Sequence, residues 1–347
     1  MGPTREGVLA ALGRVMDEGL AADVASLGMV AGVEVEGGTA RVALAVPGGR
    51  RDDGLAARAE AALREAGAEA VEVTFVESPR FPAQEPLPGV RSVVAVGSGK
   101  GGVGKSTVAA NLAAALARDG LSVGLLDADI YGPSQGKMFG VEGRRLMADE
   151  NKNIVPVKNH GIKLISIANL VEEGQALTWR GPILHGTLTQ MLKQTVWGDL
   201  DVLVVDLPPG TGDVQLSLSQ LVTVTGMVLV TTPQEVALAD VKRAYTMARK
   251  THVPLLGIVE NMSYYQLPGG ERDYLFGEGG ADRWAAEVGL EVLAHVPITR
   301  ALRESGDAGA PLVVTDPDDP AALELRRAAR RLLRRVSEEA VATLPMA

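Results

Sequence analysis

The 347-residue chain contains no cysteine. That excludes disulfides, thiol nucleophiles and thiolate metal ligands at once. Histidine, the other common soft ligand, is confined to His160, His185, His252 and His295, and no two stand at ligand spacing. Long apolar runs are missing too: none approaches the ~18 residues of a membrane span. Residues 1–25 lack a signal-peptide core between their charges, so a soluble, cytoplasmic chain is expected. Basic residues are outnumbered, 34 against 43, for a net charge of −9. That balance argues against non-specific nucleic-acid binding and leaves nucleic acid out of the expected partners.

Glycine, in contrast, is abundant, and residues 93–107 concentrate it. Val93-Val-Ala-Val96 reads as a buried strand. Gly99-Lys-Gly-Gly-Val-Gly-Lys-Ser106 fits G-x-x-x-x-G-K-[ST] at every fixed position, and Thr107 then leads into an alanine-rich helical run, Val108 to Arg118. Strand, glycine loop and helix come in the order that a polyphosphate cradle requires. Backbone N–H groups must reach the phosphates, and Gly99, Gly101, Gly102 and Gly104 remove the side chains that would block them, with Val103 between. Lys105 is expected to face the β- and γ-phosphates of ATP, and the Ser106 hydroxyl to ligate Mg²⁺.

Further strand ends carry candidate chemistry. Ser122 to Leu126 reads as a strand ending in Asp127-Ala-Asp129, where carboxylates would point into the ligand crevice of a parallel sheet. Asp127 is the candidate for holding Mg²⁺ or its waters, and Asp129 for orienting the attacking water. A helix cap or turn made by the same aspartates is the alternative. Leu200 to Val205 ends in Asp206, the Walker B carboxylate, followed by the glycine-rich switch segment Pro208–Asp213. Met227 to Thr232 is followed by Pro233-Gln234, and Leu255 to Val259 by Glu260-Asn-Met-Ser263. Asn261 could read an adenine edge, with Gln234 a further candidate for nucleotide binding and Pro297 and Ile298 walling the base after a strand over 291–296. Packing alone is the competing account of these adenine-side residues. A polar insertion is expected over about 140–178, followed by Trp179-Arg-Gly-Pro182, which a surface turn would also explain.

Around this core lie simpler segments. Residues 1–76 read as a small α+β unit: a helix over Val8–Met16, a hairpin turning at Gly37-Gly38, a helix over Leu55–Ala66 and a strand over Ala70–Val76. Residues 77–90 hold four prolines and read as a semi-extended linker. Residues 91–347 form the nucleotide domain, ending in a helix over Pro320–Val341 capped by Asp319. Its arginine rows, 326/330/334 and 327/331/335, read as a solvated face, and its apolar face lacks the aromatics of a membrane anchor, so stable membrane association is not expected.

The pattern K-G-G-x-G-K-[ST], with Lys100 inside the loop, resembles the deviant Walker A motif of the MinD/ParA family. That resemblance implies an ATP-sandwich homodimer in which Lys100 reaches across to the partner's nucleotide. Asp206-Leu-Pro-Pro-Gly-Thr-Gly-Asp213 and Trp179-Arg-Gly-Pro182 narrow it: the chain resembles the Mrp-type (ApbC-like) iron–sulfur cluster carrier ATPases, and residues 1–76 resemble the PaaD/SufT-type domain that precedes the ATPase in many of them. The implied fold is α/β, a mostly parallel, doubly wound sheet preceded by a small α+β domain. The implied work is slow ATP hydrolysis in cluster assembly or delivery. One departure matters. That family carries a Cys-Pro-x-Cys pair after Asn-Met-Ser, whereas this chain has Leu267 and Gly270 around a retained Pro268. An iron–sulfur cluster is therefore implied by the resemblance but opposed by the residues, and a thiol-bearing assembly or client protein becomes the expected partner. A MinD/ParA-like positioning ATPase, or a regulatory scaffold, shares the same loop and is the alternative.

The two lysines separate binding from hydrolysis. Lys105→Ala should abolish ATP binding, while Lys100→Ala should bind ATP and fail to hydrolyse it. Wild-type turnover in Lys100→Ala, measured by phosphate release, would remove the intermolecular lysine.

Overall fold

The structure, a computed structural model, describes residues 2–77, 86–169 and 181–342. The chain divides into two compact units, Met1–Arg80 and Phe81–Ala347. The smaller holds α1 (Arg5–Leu12), β1 (Val30–Glu36), β2 (Thr39–Val46), α2 (Asp53–Glu65) and β3 (Ala70–Glu77). β1 and β2 form the expected hairpin, with Gly37 and Gly38 at φ 54° and 82°, and β3 adds parallel to β2. Val8, Leu12, Leu44, Leu55 and Leu63 lie at the centre of its core. The first helix starts earlier than its apolar spacing predicts, because the Thr4 hydroxyl accepts from the Gly7 N–H and caps it, and Gly13 closes it before Met16.

The larger unit begins inside the segment expected to be linker. Leu87 and Val90 are buried, Val90 bridges to Leu200, and the Arg91 N–H donates to the Leu200 carbonyl. Apolar burial thus claims the end of 77–90 for the large unit despite its prolines. Then follow β4 (Val93–Ser98), α3 (Lys105–Arg118), β5 (Val123–Asp127), α4 (Gln135–Met138), β6 (Val157–Asn159), β7 (Ile162–Ser166), α5 (Gly181–Lys193), β8 (Val202–Asp206), α6 (Asp213–Leu221) and β9 (Gly226–Thr231). The chain continues through α7 (Glu235–Lys250), β10 (Leu255–Gln266), β11 (Arg272–Asp273), α8 (Gly280–Val288), β12 (Val292–Ile298), α9 (Arg300–Ala308), α10 (Leu312–Thr315) and α11 (Pro320–Ala342).

Among the described residues β4 is central, flanked by β8, β5 and β7 on one side and by β9, β10 and β12 on the other. All of these pairs are parallel; only the edge strands β6 and β11 run antiparallel. The strands are apolar on both sides because both faces are covered. Val94 and Val96 pack in one core with Leu112, Leu116, Leu325 and Leu332 of α3 and α11. Val93 and Ala95 pack in the other, with Leu188, Leu218, Val241 and Trp284 of α5 to α8.

Four expectations are corrected here. The polar insertion over 140–178 contains a core strand: Ile162, Leu164 and Ile165 are buried and β7 lies beside β5. β10 does not stop at Val259 but runs on through Gln266, because its later residues pair with β12 and β11. Pro297 and Ile298 lie within β12 rather than after it. The arginine rows of α11 are not a solvated face. Arg330 pairs with Asp119 at 2.7 Å, Arg334 pairs with Glu291, and Arg331 donates to the Leu293 carbonyl at 2.8 Å. Asp119 caps the end of α3, Glu291 lies in the loop between α8 and β12, and Leu293 belongs to β12 itself; no helical spacing in α11 could reveal them. Trp179 and Arg180 lie outside the described residues.

Gly99 is where the glycine loop meets α7. A Cβ there would fall 2.1 Å from the Asp240 carbonyl carbon and 2.2 Å from the Val241 nitrogen. Its glycine is required by close packing of backbones as well as by access to phosphate. Gly99→Ala should therefore cost about 1–3 kcal/mol of stability even without nucleotide. Urea unfolding checks this; a change below about 0.5 kcal/mol would show that α7 simply yields.

Candidate functional site

The candidate site forms where β4, β5 and β8 end. Parallel register fixes it: Ser166 of β7, Asp127 of β5 and Asp206 of β8 occupy one row of neighbouring pairs. Alternation along each strand then sends their side chains to the same face of the sheet. Asp127 and Asp206 are fully buried, Asp129 is 7% exposed and Lys105 6%.

The glycine loop turns from β4 into α3 with Gly102 and Gly104 at φ 81° and 80°, a conformation that a β-carbon would strain. Behind it the Asn261 amide donates to the Val103 carbonyl at 2.9 Å, and a Cβ on Gly104 would lie 2.1 Å from that same amide. Asn261 thus buttresses the loop from β10. Lys105, the first residue of α3, turns its ammonium onto the carboxylates: it donates to Asp206 Oδ1 and lies 3.6 Å from Asp129 Oδ2. It also lies 3.1 Å from the Ser106 hydroxyl. The switch segment after β8 is tied to the loop through the Gly210 N–H, which donates to the Ser98 carbonyl at 2.8 Å. Lys100 is partly exposed, and Thr107 gives its carbonyl to the Asn111 amide at 2.9 Å.

Asp127 is held by donors from three directions. The Ser134 and Gln135 N–H groups each donate to its Oδ2 at 3.0 Å, and the Ser166 hydroxyl at 2.9 Å. Burial nevertheless pushes its carboxyl up to about 7, with the Asp206 charge on the adjacent strand adding to the rise; the Gln135 and Ser166 bonds pull the other way. Asp129 accepts from the Gly132 N–H at 3.3 Å.

The structure therefore brings Lys105, Ser106, Asp127, Asp129 and Asp206 into one cluster beneath the loop. It does not bring in Gln234 or Pro297. Gln234 precedes α7, where its carbonyl accepts from the Ala237 and Leu238 N–H groups, and Pro297 is buried in β12. Two contributors escaped the sequence reading. Ser166 sits on the strand hidden in the supposed insertion. Gln135, four residues after Tyr131, is fully buried and donates from its amide to Asp206 Oδ2 at 2.8 Å and to the Ser106 carbonyl at 2.9 Å. Its place after Gly-Pro-Ser was visible, but its partners lie on other elements.

Two ligand types can be tested against these groups. Hydroxyl, carboxylate and amide oxygens form a hard donor set that suits Mg²⁺, and the buried Gln135 Oε1 still has no protein partner. The Leu267–Gly270 segment offers nothing comparable to a cluster. It is a tight hairpin between β10 and β11, with the Gly270 N–H donating to the Leu267 carbonyl and the Leu267 N–H to the Glu271 carbonyl. No group of three or more His, Asp or Glu residues placed to hold a metal occurs among the described residues. No described helix is long and apolar enough to cross a membrane.

Comparisons with known proteins agree with this geometry. The family model described as NUBPL iron-transfer P-loop NTPase matches residues 89–333, and that described as iron-sulfur cluster assembly protein matches residues 5–75. An iron-sulfur cluster carrier protein of Deinococcus radiodurans is 48% identical over 344 residues, 98% of each chain. One of Escherichia coli K12 is 46% identical over 254 residues, 73% of this chain and 69% of that one. Among solved structures, a nucleotide-binding protein in complex with ADP from Archaeoglobus fulgidus is 42% identical, with a TM-score of 0.58, covering 65% of this chain and 90% of that one. The septum site-determining protein MinD of Pyrococcus horikoshii, at 21% identity and a TM-score of 0.51, shares the fold.

The raised Asp127 carboxyl has a measurable consequence without nucleotide or metal. The folded form keeps this proton up to about pH 7, whereas the unfolded chain releases it near its ordinary value of 3.8. Between those values the folded state binds more protons, so stability falls as pH rises. Unfolding free energies from urea titrations in a chelator should drop between pH 5 and 7 by about 1 kcal/mol per pH unit more in the wild type than in Asp127→Asn. Parallel profiles would mean that Asp127 is ionised throughout.

Proposed function

The chain belongs to the iron–sulfur cluster carrier family of P-loop NTPases, and from that premise we propose that it is a cytoplasmic, ATP-hydrolysing homodimer that serves cluster delivery without ligating a cluster itself. The observation that carries this reading is the contrast between its two candidate sites. The nucleotide cluster has its lysine, hydroxyl and three carboxylates together, while the hairpin at 267–270 has no soft ligand.

Lys105 neutralises Asp206 and Asp129. ATP entering the glycine loop draws that ammonium to its β- and γ-phosphates, so binding exchanges one set of anionic partners for another. Ser106, Asp127 and Asp206 are the residues that would hold Mg²⁺, which when bound neutralises charge developing on the phosphates. Asp129, released from Lys105, orients water for in-line attack. Lys100, partly exposed on the loop, crosses to the partner copy's nucleotide, so hydrolysis waits for the dimer to close. Gly210, bonded to Ser98 behind the loop, lets the switch segment follow the γ-phosphate.

Cluster chemistry sets the division of labour. Iron–sulfur clusters are held by thiolates, because soft sulfur matches the metal and balances the charge of the core. The residues present do not meet that demand. Even the mixed histidine and cysteine arrangement of a Rieske centre requires two cysteines. The cluster is therefore cargo of a thiol-bearing partner, engaged through residues 1–76, and this chain supplies the ATP-driven step. Neither nucleic acid nor a membrane is a partner in this scheme.

Anaerobic reconstitution with iron and sulfide tests the claim. The purified chain alone should return to baseline after desalting. A stable absorption band at about 400 nm with about four irons per dimer would sink it.

A further inference from the structure

Gln135 touches three parts of the nucleotide cluster, one through its main chain and two through its side chain. Its main-chain N–H donates to Asp127 Oδ2 at 3.0 Å, and its amide Nε2 donates to the Ser106 carbonyl at 2.9 Å and to Asp206 Oδ2 at 2.8 Å. The residue is completely buried. The orientation of its amide follows from these partners: both are acceptors, so the NH₂ end must face them and the carbonyl end must face away. Both amide hydrogens are then used, and Oε1 remains buried with no protein partner. A buried acceptor without a donor is unfavourable, so the position favours a ligand that brings one.

The surroundings narrow the kind of donor. Asp206 has its other oxygen on Lys105. Once phosphate draws that ammonium away, Gln135 is the protein contact that still fixes the Asp206 carboxylate. We propose that Gln135 is a positioning residue for the divalent cation of the nucleotide site: its Nε2 orients Asp206, and its free carbonyl oxygen accepts a hydrogen bond from a water bound to the ion. The inference rests on the nucleotide-site reading and deepens it. Hydrogen-bonding groups behind a ligating carboxylate commonly change metal affinity 10–100-fold when removed.

The test measures ADP affinity by calorimetry, once with Mg²⁺ and once in a chelator, on the full chain. In Gln135→Met, which keeps the length of the side chain and removes both polar ends, chelator-only affinity should stay within about threefold of wild type. The tightening caused by Mg²⁺ should shrink about tenfold, or about 1.4 kcal/mol. Gln135→Ala, which leaves space for water, is the second variant should the first not fold, and it should lose the same tightening. In the variants, two outcomes overturn the proposal: an undiminished Mg²⁺ effect in the folded variant, or equal losses with and without Mg²⁺, which would make Gln135 a packing residue. A wild-type chain that binds ADP but ignores Mg²⁺ also overturns it. Failure of the wild type to bind ADP under any condition would instead overturn the nucleotide site itself.

Discussion

The large unit depends on how it tolerates two buried carboxylates side by side. Asp127 and Asp206 are paired residues of adjacent strands, and strands lie about 4.8 Å apart. Two full charges at that spacing would repel by about 3–4 kcal/mol at an effective dielectric of 20. Lys105 answers Asp206, and the backbone of residues 134–135 with the Ser166 hydroxyl answers Asp127. The raised Asp127 carboxyl shows which effect prevails: burial and repulsion outweigh those donors. The glycine loop, the segment after β5 and the strand hidden before α5 are therefore bound together by one electrostatic requirement, which a bound cation would relieve.

Much of this was legible in residues 93–107. A strand, glycines at fixed spacing and a helix constrain one another, so the local sequence contains most of the geometry. The row of Asp127 and Asp206 was foreseen because strand ends in parallel sheets point into a crevice. Ser166 and Gln135 were not foreseen, because their roles exist only once β7 lies beside β5 and α4 folds beneath α3. The arginines of α11 were misread for a related reason. Helical periodicity reports which side chains share a face; it does not say that Asp119 and Glu291 come from elsewhere to meet them. The boundary near residue 87 shows the same limit, since proline content suggested a linker and Leu87 and Val90 packed regardless.

Family membership and ligand chemistry point in different directions at the hairpin. Sequence identity near one half over the whole length carries the nucleotide machinery with it. It does not carry a thiolate into a chain that has none. The hairpin at 267–271 closes through its own backbone bonds, so it folds without a metal to organise it. The sheet and its nucleotide loop do not depend on a ligand there, because β10 is anchored by β9 and β12.

β10 also joins two distant features. The same strand carries Asn261, pressed against the phosphate loop, and Gln266, at the root of the hairpin. Between them the backbone is not evenly extended: Met262 takes φ 55°, and β10 advances four residues, Asn261 to Tyr265, while β12 advances two, Val296 to Ile298. Such an irregularity bends a strand and sharpens its twist. The direction in which the hairpin projects is thus set one residue beyond the side chain that buttresses the loop.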